Sequence, residues 1–141
     1  MAPPSDHPAF HLQVAAGTFY VKQFKPDEPI PQAFLDILTN RANPSTLISI
    51  TRTKEEISIA GEAGDGYPVA VDDPDATWGC IKIAGPMDFG VTGVIASFTA
   101  PLKAAAIPVF AISTWNTDYV LIPKEKLCEA DTALANNGWK V

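Results

Sequence analysis

The 141-residue sequence has no run of five or more basic residues, and its 10 Lys and Arg stand against 16 Asp and Glu, for a net charge of −6. Nucleic acids and anionic membrane surfaces are bound through clustered Lys and Arg, so neither is predicted as a partner. No apolar stretch approaches the about 20 residues of a membrane span, and the N-terminus lacks the basic and apolar regions of a secretion signal. We therefore expect a cytoplasmic protein that does not contact the membrane.

Cysteine and histidine are scarce. Cys80 and Cys128 lie far apart in the sequence, and we expect both to be reduced and buried. His7 and His11 have a helical spacing, but they lie beside prolines, and no carboxylate or cysteine pattern completes a metal site. The sequence therefore predicts neither a metal nor a cofactor.

Motifs for phosphate, calcium or nucleophilic catalysis are incomplete. The glycine-rich residues 61–66 are not followed by Lys-Ser or Lys-Thr, as a P-loop requires. The acids of residues 71–77 lack calcium-loop spacing and its closing Glu. The second half has no histidine, so a Ser-His-Asp triad would need one from the N-terminus. A non-enzymatic role is therefore favoured, and no catalytic residue is assigned.

Hydrophobic residues make up 47% of the chain, enough for a packed core. In the first half, residues 10–24 are predicted to be extended, and residues 31–40 to be a helix with Phe34, Leu35 and Leu38 on one face. Residues 46–63 have the alternation of a β-hairpin, and residues 64–77 are predicted to form a loop.

The second half has a clearer pattern. It predicts a strand at 78–85, a helix at 91–106, a hairpin at 107–123, a helix at 124–138 and a last strand at 139–141. This order, β-α-β-β-α-β, is that of the ferredoxin-like motif. We predict an α+β protein with a flexible leader at residues 1–9, a first unit at 10–77 and a second unit at 78–141. The connections are short, so the two units are expected to pack as one body.

The two predicted hairpins can be aligned with each other. At an offset of 62 residues, Ile50-Thr51-Arg52-Thr53 matches Ile112-Ser113-Thr114-Trp115, and Glu56 matches Asp118. An acid then begins the second arm of both hairpins. The match suggests an internal duplication.

The stretch from residue 85 to residue 123 closely resembles the second repeat of small tandem ACT-domain proteins related to the CASTOR arginine-sensor family. The motif residues that carry the resemblance are Gly85, Asp88-Phe89, Thr92-Gly93, Ser97, Pro101-Leu102, Ser113-Thr114 and Thr117-Asp118-Tyr119. The resemblance implies two ferredoxin-like βαββαβ units with antiparallel sheets and helices on one face. It also implies that an amino acid is bound between neighbouring units, and that two chains form a homodimer.

A bound amino acid needs partners for its carboxylate and its ammonium group. The unpaired amides at the start of helix 91–106 suit the carboxylate, and Gly90 and Gly93 would let it approach. Asp118 suits the ammonium group. Neutral hydrogen bonds are expected from the nearby hydroxyls, and Trp115 or Phe89 would cover the ligand. The predicted ligand-binding residues are Asp88, Phe89, Gly90, Val91, Thr92, Gly93, Ser113, Thr114, Trp115, Thr117 and Asp118.

Other interpretations of these residues remain open. Asp118 can satisfy only the amides of a turn, the glycines can serve close packing, and Phe89 and Trp115 can belong to a core or an interface. At the level of function, the first hypothesis is an amino-acid-binding regulatory or sensor module that acts on a protein target. The second is a small biosynthetic enzyme with Asp118 as acid or base, and the third is a pure protein-interaction module.

Overall fold

The computed structural model describes residues 2–40, 46–87 and 93–141. The chain divides into two compact units. We call Gly17–Trp78 the first unit, and Met1–Ala16 with Gly79–Val141 the second unit. In chain order, the elements are β1 (Leu12–Val14), β2 (Thr18–Phe24), α1 (Gln32–Thr39), β3 (Ile48–Arg52), β4 (Ile57–Ala63), β5 (Trp78–Ile83), α2 (Val94–Ala104), β6 (Phe110–Ser113), β7 (Asp118–Pro123) and α3 (Leu127–Asn136).

The first unit has an antiparallel sheet in the order β3-β4-β2. Alternate side chains of β4, including Ile57 and Ile59, enter the core with Tyr20 of β2. Phe34 is the buried residue of α1, and its ring centre lies 6.1 Å from that of Tyr20. Leu38, predicted on the same buried face, is instead 60% exposed, because α1 makes its buried contact in its first turn and ends one residue after Leu38.

Residues 64–77 of the first unit contain no helix, as the sequence predicts. The loop is held to the unit by two kinds of contact. Val69 and Ala76 are buried in the core, and Lys22 Nζ lies 3.2 Å from Asp73 Oδ1 and 2.8 Å from Asp75 Oδ2. These acids of the predicted loop are therefore engaged with a lysine of β2.

The sheet of the second unit has the order β1-β5-β7-β6, and α2 and α3 pack on it. The core combines strand residues such as Ile83 and Val120 with Phe98 of α2 and Leu134 of α3. Trp139 closes this core, and its ring meets Phe98 edge to face at 5.5 Å between centres.

The prediction of a last strand at 139–141 is wrong. Gly138 adopts φ +89° and turns the chain so that Trp139 enters the core. The place beside β5 is taken by β1, with Leu12 opposite Ile83. The end of the chain contributes a hydrogen bond to this strand, 2.6 Å from Leu12 N to Lys140 O.

The extended segment 10–24 is interrupted at residues 15–17, where Gly17 has φ +95°. Its two parts, β1 and β2, belong to different units. Ahead of β1, Pro8–Phe10 forms a 3-10 turn whose Phe10 packs on the second core. The second unit therefore takes its residues from both ends of the chain, on either side of the first unit. The boundaries predicted from the sequence, at 1–9, 10–77 and 78–141, describe successive repeats and stay a prediction.

One of the two cysteines departs from expectation. Cys80 of β5 is buried as predicted, but Cys128 is exposed. It lies in the first turn of α3, where Leu127, Ala130 and Leu134 face the sheet, so its position on the helix points away from the core.

Candidate functional site

A groove of about 220 Å³ opens on the second unit between the first turn of α2 and the turn that joins β6 to β7. It is smaller than the about 300–1,000 Å³ of pockets for drug-sized ligands, and therefore suits a small metabolite or one end of it. Its described lining residues are Met87, Gly93, Val94, Ile95, Ser113, Thr114, Trp115, Asn116, Thr117 and Asp118.

The groove brings together the predicted site residues that the structure describes, which are Gly93, Ser113, Thr114, Trp115, Thr117 and Asp118. The other predicted residues, Asp88, Phe89, Gly90, Val91 and Thr92, lie outside the described residues. Sequence reasoning missed Met87, Val94, Ile95 and Asn116. Each lies within two residues of a predicted residue in the chain, so a wider window around the motif residues would have included them.

Thr114 and Thr117 build the β6–β7 turn without the Asn-Gly signal that short hairpins usually have. The amide of Thr114 donates to Thr117 O at 2.8 Å. The Thr114 hydroxyl donates to the same oxygen at 3.1 Å and accepts from the Thr117 amide at 3.3 Å. The hydrogen bonds of a threonine side chain thus close this turn, whereas short hairpins usually use residues in the left-handed backbone conformation.

Thr117 also connects the turn to the end of β5 and to the segment that follows it. Its hydroxyl donates to Ile83 O at 2.6 Å, and a side chain on Gly85 would come within 3.0 Å of Thr117 Cβ. The backbone of Met87 adds a 2.6 Å hydrogen bond to Asn116 O. The side-chain donor of Thr117 is therefore used inside the fold, although ligand contact was predicted for it.

Asp118 begins β7 and is only 9% exposed. The Ser113 hydroxyl donates to Asp118 Oδ1 at 2.6 Å, the short distance expected for a hydroxyl bonded to a carboxylate. Asp118 is the only ionisable side chain among the described residues of the lining. The groove therefore has one buried acid and, within that described lining, no cation.

The first hairpin shows that this kind of turn does not need an acid at the position of Asp118. Thr53 makes the same bonds to Glu56, with its amide 2.9 Å and its hydroxyl 3.4 Å from Glu56 O. In β3–β4 the pair next to the turn is Arg52 opposite Ile57, whereas in β6–β7 it is Ser113 opposite Asp118. The two hairpins therefore correspond at an offset of 61, and the alignment of Glu56 with Asp118 is wrong by one residue. An isoleucine occupies the position of Asp118 in an equivalent turn.

The start of α2 forms the opposite wall. Gly93 is its N-cap, with φ +76° and no capping side chain. The first turn contains no acidic residue, and a side chain built on Gly93 would have open space around it. The first amides of a helix lack intrahelical partners and carry partial positive charge. This wall can therefore accept an anionic group in the same groove that Asp118 lines.

Trp115 lies at the tip of the turn, at the rim of the groove, with 80% of its surface exposed. It was expected to cover the stem of a ligand. In the structure it lies at the rim, within the turn that the Thr114–Thr117 hydrogen bonds close.

Within residues 2–40, 46–87 and 93–141, no group of three or more His, Cys, Asp or Glu residues is placed to hold a metal ion. In the same ranges, no helix combines the length and apolar character needed to cross a bilayer. His7, considered as a ligand from its spacing with His11, accepts a 3.0 Å hydrogen bond from the Ala9 amide.

A family model and a known protein each match part of this sequence. Residues 74–136, which include β5 to the last residue of α3, match the family model described as ACT domain. Over 49 residues the chain is 39% identical to the human protein named "Cytosolic arginine sensor for mTORC1 subunit 1". That match covers 34% of this chain and 15% of the relative, so the chain spans only a small part of this relative's length.

Two solved structures resemble nearly the whole chain. A crystal structure of a protein from Agobacterium tumefaciens is 28% identical, with a TM-score of 0.71, over 92% of this chain and 90% of that one. The ligand-free regulatory subunit of aspartate kinase from Thermus thermophilus has a TM-score of 0.58 at 12% identity, over 89% of this chain and 95% of that one, which shows the fold alone. The predicted α+β fold with ferredoxin-like ACT units, and the resemblance to ACT-domain proteins, are confirmed.

Proposed function

We propose that this chain is a regulatory module that binds an amino acid in the groove of the second unit. The observation that carries the proposal is the buried Asp118, which lies in a groove between a polar turn and a helix N-terminus. Burying a carboxylate costs free energy unless partners compensate for the lost water. The equivalent turn of the first unit keeps its geometry with Ile57 at that position. The turn itself therefore does not require a buried carboxylate, and a bound ligand best explains why Asp118 is buried at a cost in free energy.

The two walls of the groove suit the two charged groups of an amino acid. The ammonium group binds Asp118, with Ser113 orienting the carboxylate of Asp118 through its 2.6 Å hydrogen bond. The ligand's carboxylate binds the amides at the start of α2, where Gly93 leaves the approach open. The apolar lining residues Val94 and Ile95 contact the carbon atoms between them.

The charge of the lining favours a neutral or cationic side chain on the ligand. Within its described residues, the groove offers no cation to pair with a second carboxylate, and an aspartate or glutamate side chain would approach Asp118 with like charge. The relative that matches over 49 residues is named as an arginine sensor. L-arginine is therefore the first ligand to test.

The output of such a module is a change in a partner. The family match covers an ACT domain, and the solved structure from Thermus thermophilus is that of a regulatory subunit. We propose that the ligand state of this chain is communicated to a second copy or to a protein target in the cytoplasm. The position of the ligand between neighbouring ACT units, which the resemblance implies, stays a prediction.

Binding of a panel of the twenty standard L-amino acids tests the proposal. We expect at least one of them, with L-arginine first, to raise the melting temperature of the protein, and isothermal titration calorimetry to give a saturable isotherm. L-aspartate and L-glutamate should produce no shift. If no member of the panel binds, the proposal is wrong. If the bound amino acid is converted, as mass spectrometry of the mixture would show, the enzyme interpretation replaces it.

A further inference from the structure

We infer that each chain holds one amino-acid site, in the second unit, and that the first unit is a scaffold that has the same hairpin without the binding groups. The inference rests on the proposed function for the second unit. It concerns the first unit, whose residues can be compared with those of the site one by one, because the two turns share three hydrogen bonds of a threonine.

The correspondence between the turns is close in detail. In each turn the threonine hydroxyl accepts from the amide three residues later, at 3.2 Å from Glu56 and at 3.3 Å from Thr117. In each, the amide and the hydroxyl of the threonine donate to the carbonyl of that same later residue. The strands that follow start from equivalent positions, so differences between the hairpins lie in their side chains and not in their geometry.

The cation-binding end is missing from the first unit. The position of Asp118 is occupied by Ile57, which is 2% exposed and packs in the first core. The position of Ser113 is occupied by Arg52, whose Nη1 donates to Pro26 O at 2.8 Å. At this place a ligand's ammonium group would meet the buried hydrocarbon side chain of Ile57 and the guanidinium of Arg52, which is also positively charged.

The anion-binding end differs as well. α1 begins after Pro31, whereas α2 begins after Gly93. Proline has no amide hydrogen to donate and adds a ring at the N-cap, where Gly93 leaves open space. The amide of Phe34 in the first turn of α1 bonds Pro31 O at 3.2 Å. The first unit thus differs from the second at both ends of a bound amino acid.

The loop that follows β4 serves the stability of the first unit. Its chain continues from β4 into a loop instead of a second helix, and the loop is held by buried Val69 and Ala76 and by Lys22. These contacts secure the unit without leaving a charged group buried for a ligand.

Calorimetry and NMR on the full chain test the inference, with L-arginine as the probe and the rest of the amino-acid panel titrated in the same way. We expect one ligand bound per chain. Amide shifts should concentrate at Thr114–Asp118, and the equivalent amides at Thr53–Ile57 should move little. The variant Asp118→Asn should lose all measurable binding, whereas Arg52→Ser should keep the stoichiometry and keep Kd within about 2-fold.

Each contrary result has a distinct meaning. Two ligands per chain, or 1:1 binding retained by Asp118→Asn together with shifts at Thr53–Ile57, would overturn the single-site inference and leave amino-acid binding intact. A loss of affinity of about 10-fold or more in Arg52→Ser, with an unchanged fold by circular dichroism, would overturn the scaffold role of the first hairpin. Absence of any binding by the wild type would overturn the proposed function itself.

Discussion

Ser113 and Asp118 lie directly opposite each other as the first pair of the β6–β7 hairpin, and the Ser113 hydroxyl donates to Asp118 Oδ1 at 2.6 Å. The bond fixes a carboxylate that is 9% exposed at the edge of a groove. A carboxylate has about four acceptor sites, of which one hydroxyl uses one. Ser113 is therefore best placed to orient Asp118 toward another donor.

Replacement of Asp118 by Asn should abolish amino-acid binding and leave the fold intact. Asn keeps an oxygen for Ser113 but loses the charge that pairs with an ammonium group. Loss of one partner of a buried charge pair typically costs about 2–5 kcal/mol, which corresponds to at least about a 30-fold rise in Kd. Calorimetry measures the affinity, and the melting temperature of the ligand-free variant should not fall below that of the wild type, because Asn removes a buried charge. Glu56→Gln, at the other hairpin turn, is the charge-matched control. If Asp118→Asn binds the amino acid with wild-type affinity, Asp118 serves only the turn and does not bind the ligand.

The loop of residues 64–77 should depend more on its apolar anchor than on its ion pairs. Val69 is 1% exposed, and truncation to Ala should lower the free energy of unfolding by about 2 kcal/mol. Lys22→Met should lower it by less than about 1 kcal/mol, since both pairs remain accessible to water, with the side chains of Asp73 and Asp75 28% and 53% exposed. Urea denaturation of both variants compares them. A larger loss in Lys22→Met than in Val69→Ala would reverse this ranking.

Asp131 of α3 should make stability fall as pH rises. Its Oδ1 atom is buried without a hydrogen-bond partner in the described structure, and burial raises the pKa of this carboxyl above its usual value. A raised folded-state pKa gives a contribution that is complete below the unfolded pKa of about 3.8 and is lost as pH rises through the folded pKa. Asp131→Asn should therefore be more stable than the wild type at pH 7, and the difference should vanish near pH 3. Glu129→Gln on the same helix is the control, because the Glu129 side chain is 58% exposed. Equal stability of Asp131→Asn and wild type at pH 7 would contradict the prediction.

Tyr20 should make the first unit sensitive to alkali. Burial raises the pKa of its phenol from 10.0 to about 12, so between these values the unfolded chain loses the proton before the folded one does. Each pH unit in this interval should lower the free energy of unfolding by about 1.4 kcal/mol from this group. Tyr20→Phe should remove that part of the slope in urea denaturation at pH 9 to 12. Identical slopes in the variant and the wild type would show that another group titrates.

A homodimer is the expected assembly. β6 is the last strand in the sheet order of the second unit, and Trp115 and Val109, at its two ends, are 80% and 37% exposed. An edge strand with exposed apolar neighbours favours pairing with another chain. Light scattering at about 0.1 mM, a concentration at which a micromolar association is nearly complete, should give twice the chain mass. A monomer at that concentration would contradict the prediction.

The sequence by itself determined the local elements. Alternation of apolar and polar residues located both hairpins, since side chains of a strand alternate between its faces. The helical spacing of Val94, Phe98 and Leu102 located α2, and the motif residues from Gly85 to Tyr119 indicated the ACT fold. The same motif grouped Asp118 with Ser113 and Thr117, which line the groove with it, because these residues are close in the chain and belong to one hairpin.

Tertiary structure decided what depends on distant pairing. Residues 139–141 and residues 12–14 both had the pattern of a strand, and only the packing of Trp139 against Phe98 showed which one pairs with β5. The residue-by-residue correspondence between the two hairpins also came only from the tertiary structure. Glu56 and Asp118 align in sequence because both are acids, but the threonine hydrogen bonds fix the correspondence one residue away, at Ile57. A shift of one residue exchanges the two faces of a strand. An alignment made on the acids alone therefore put Glu56, which precedes β4, opposite the buried first residue of β7.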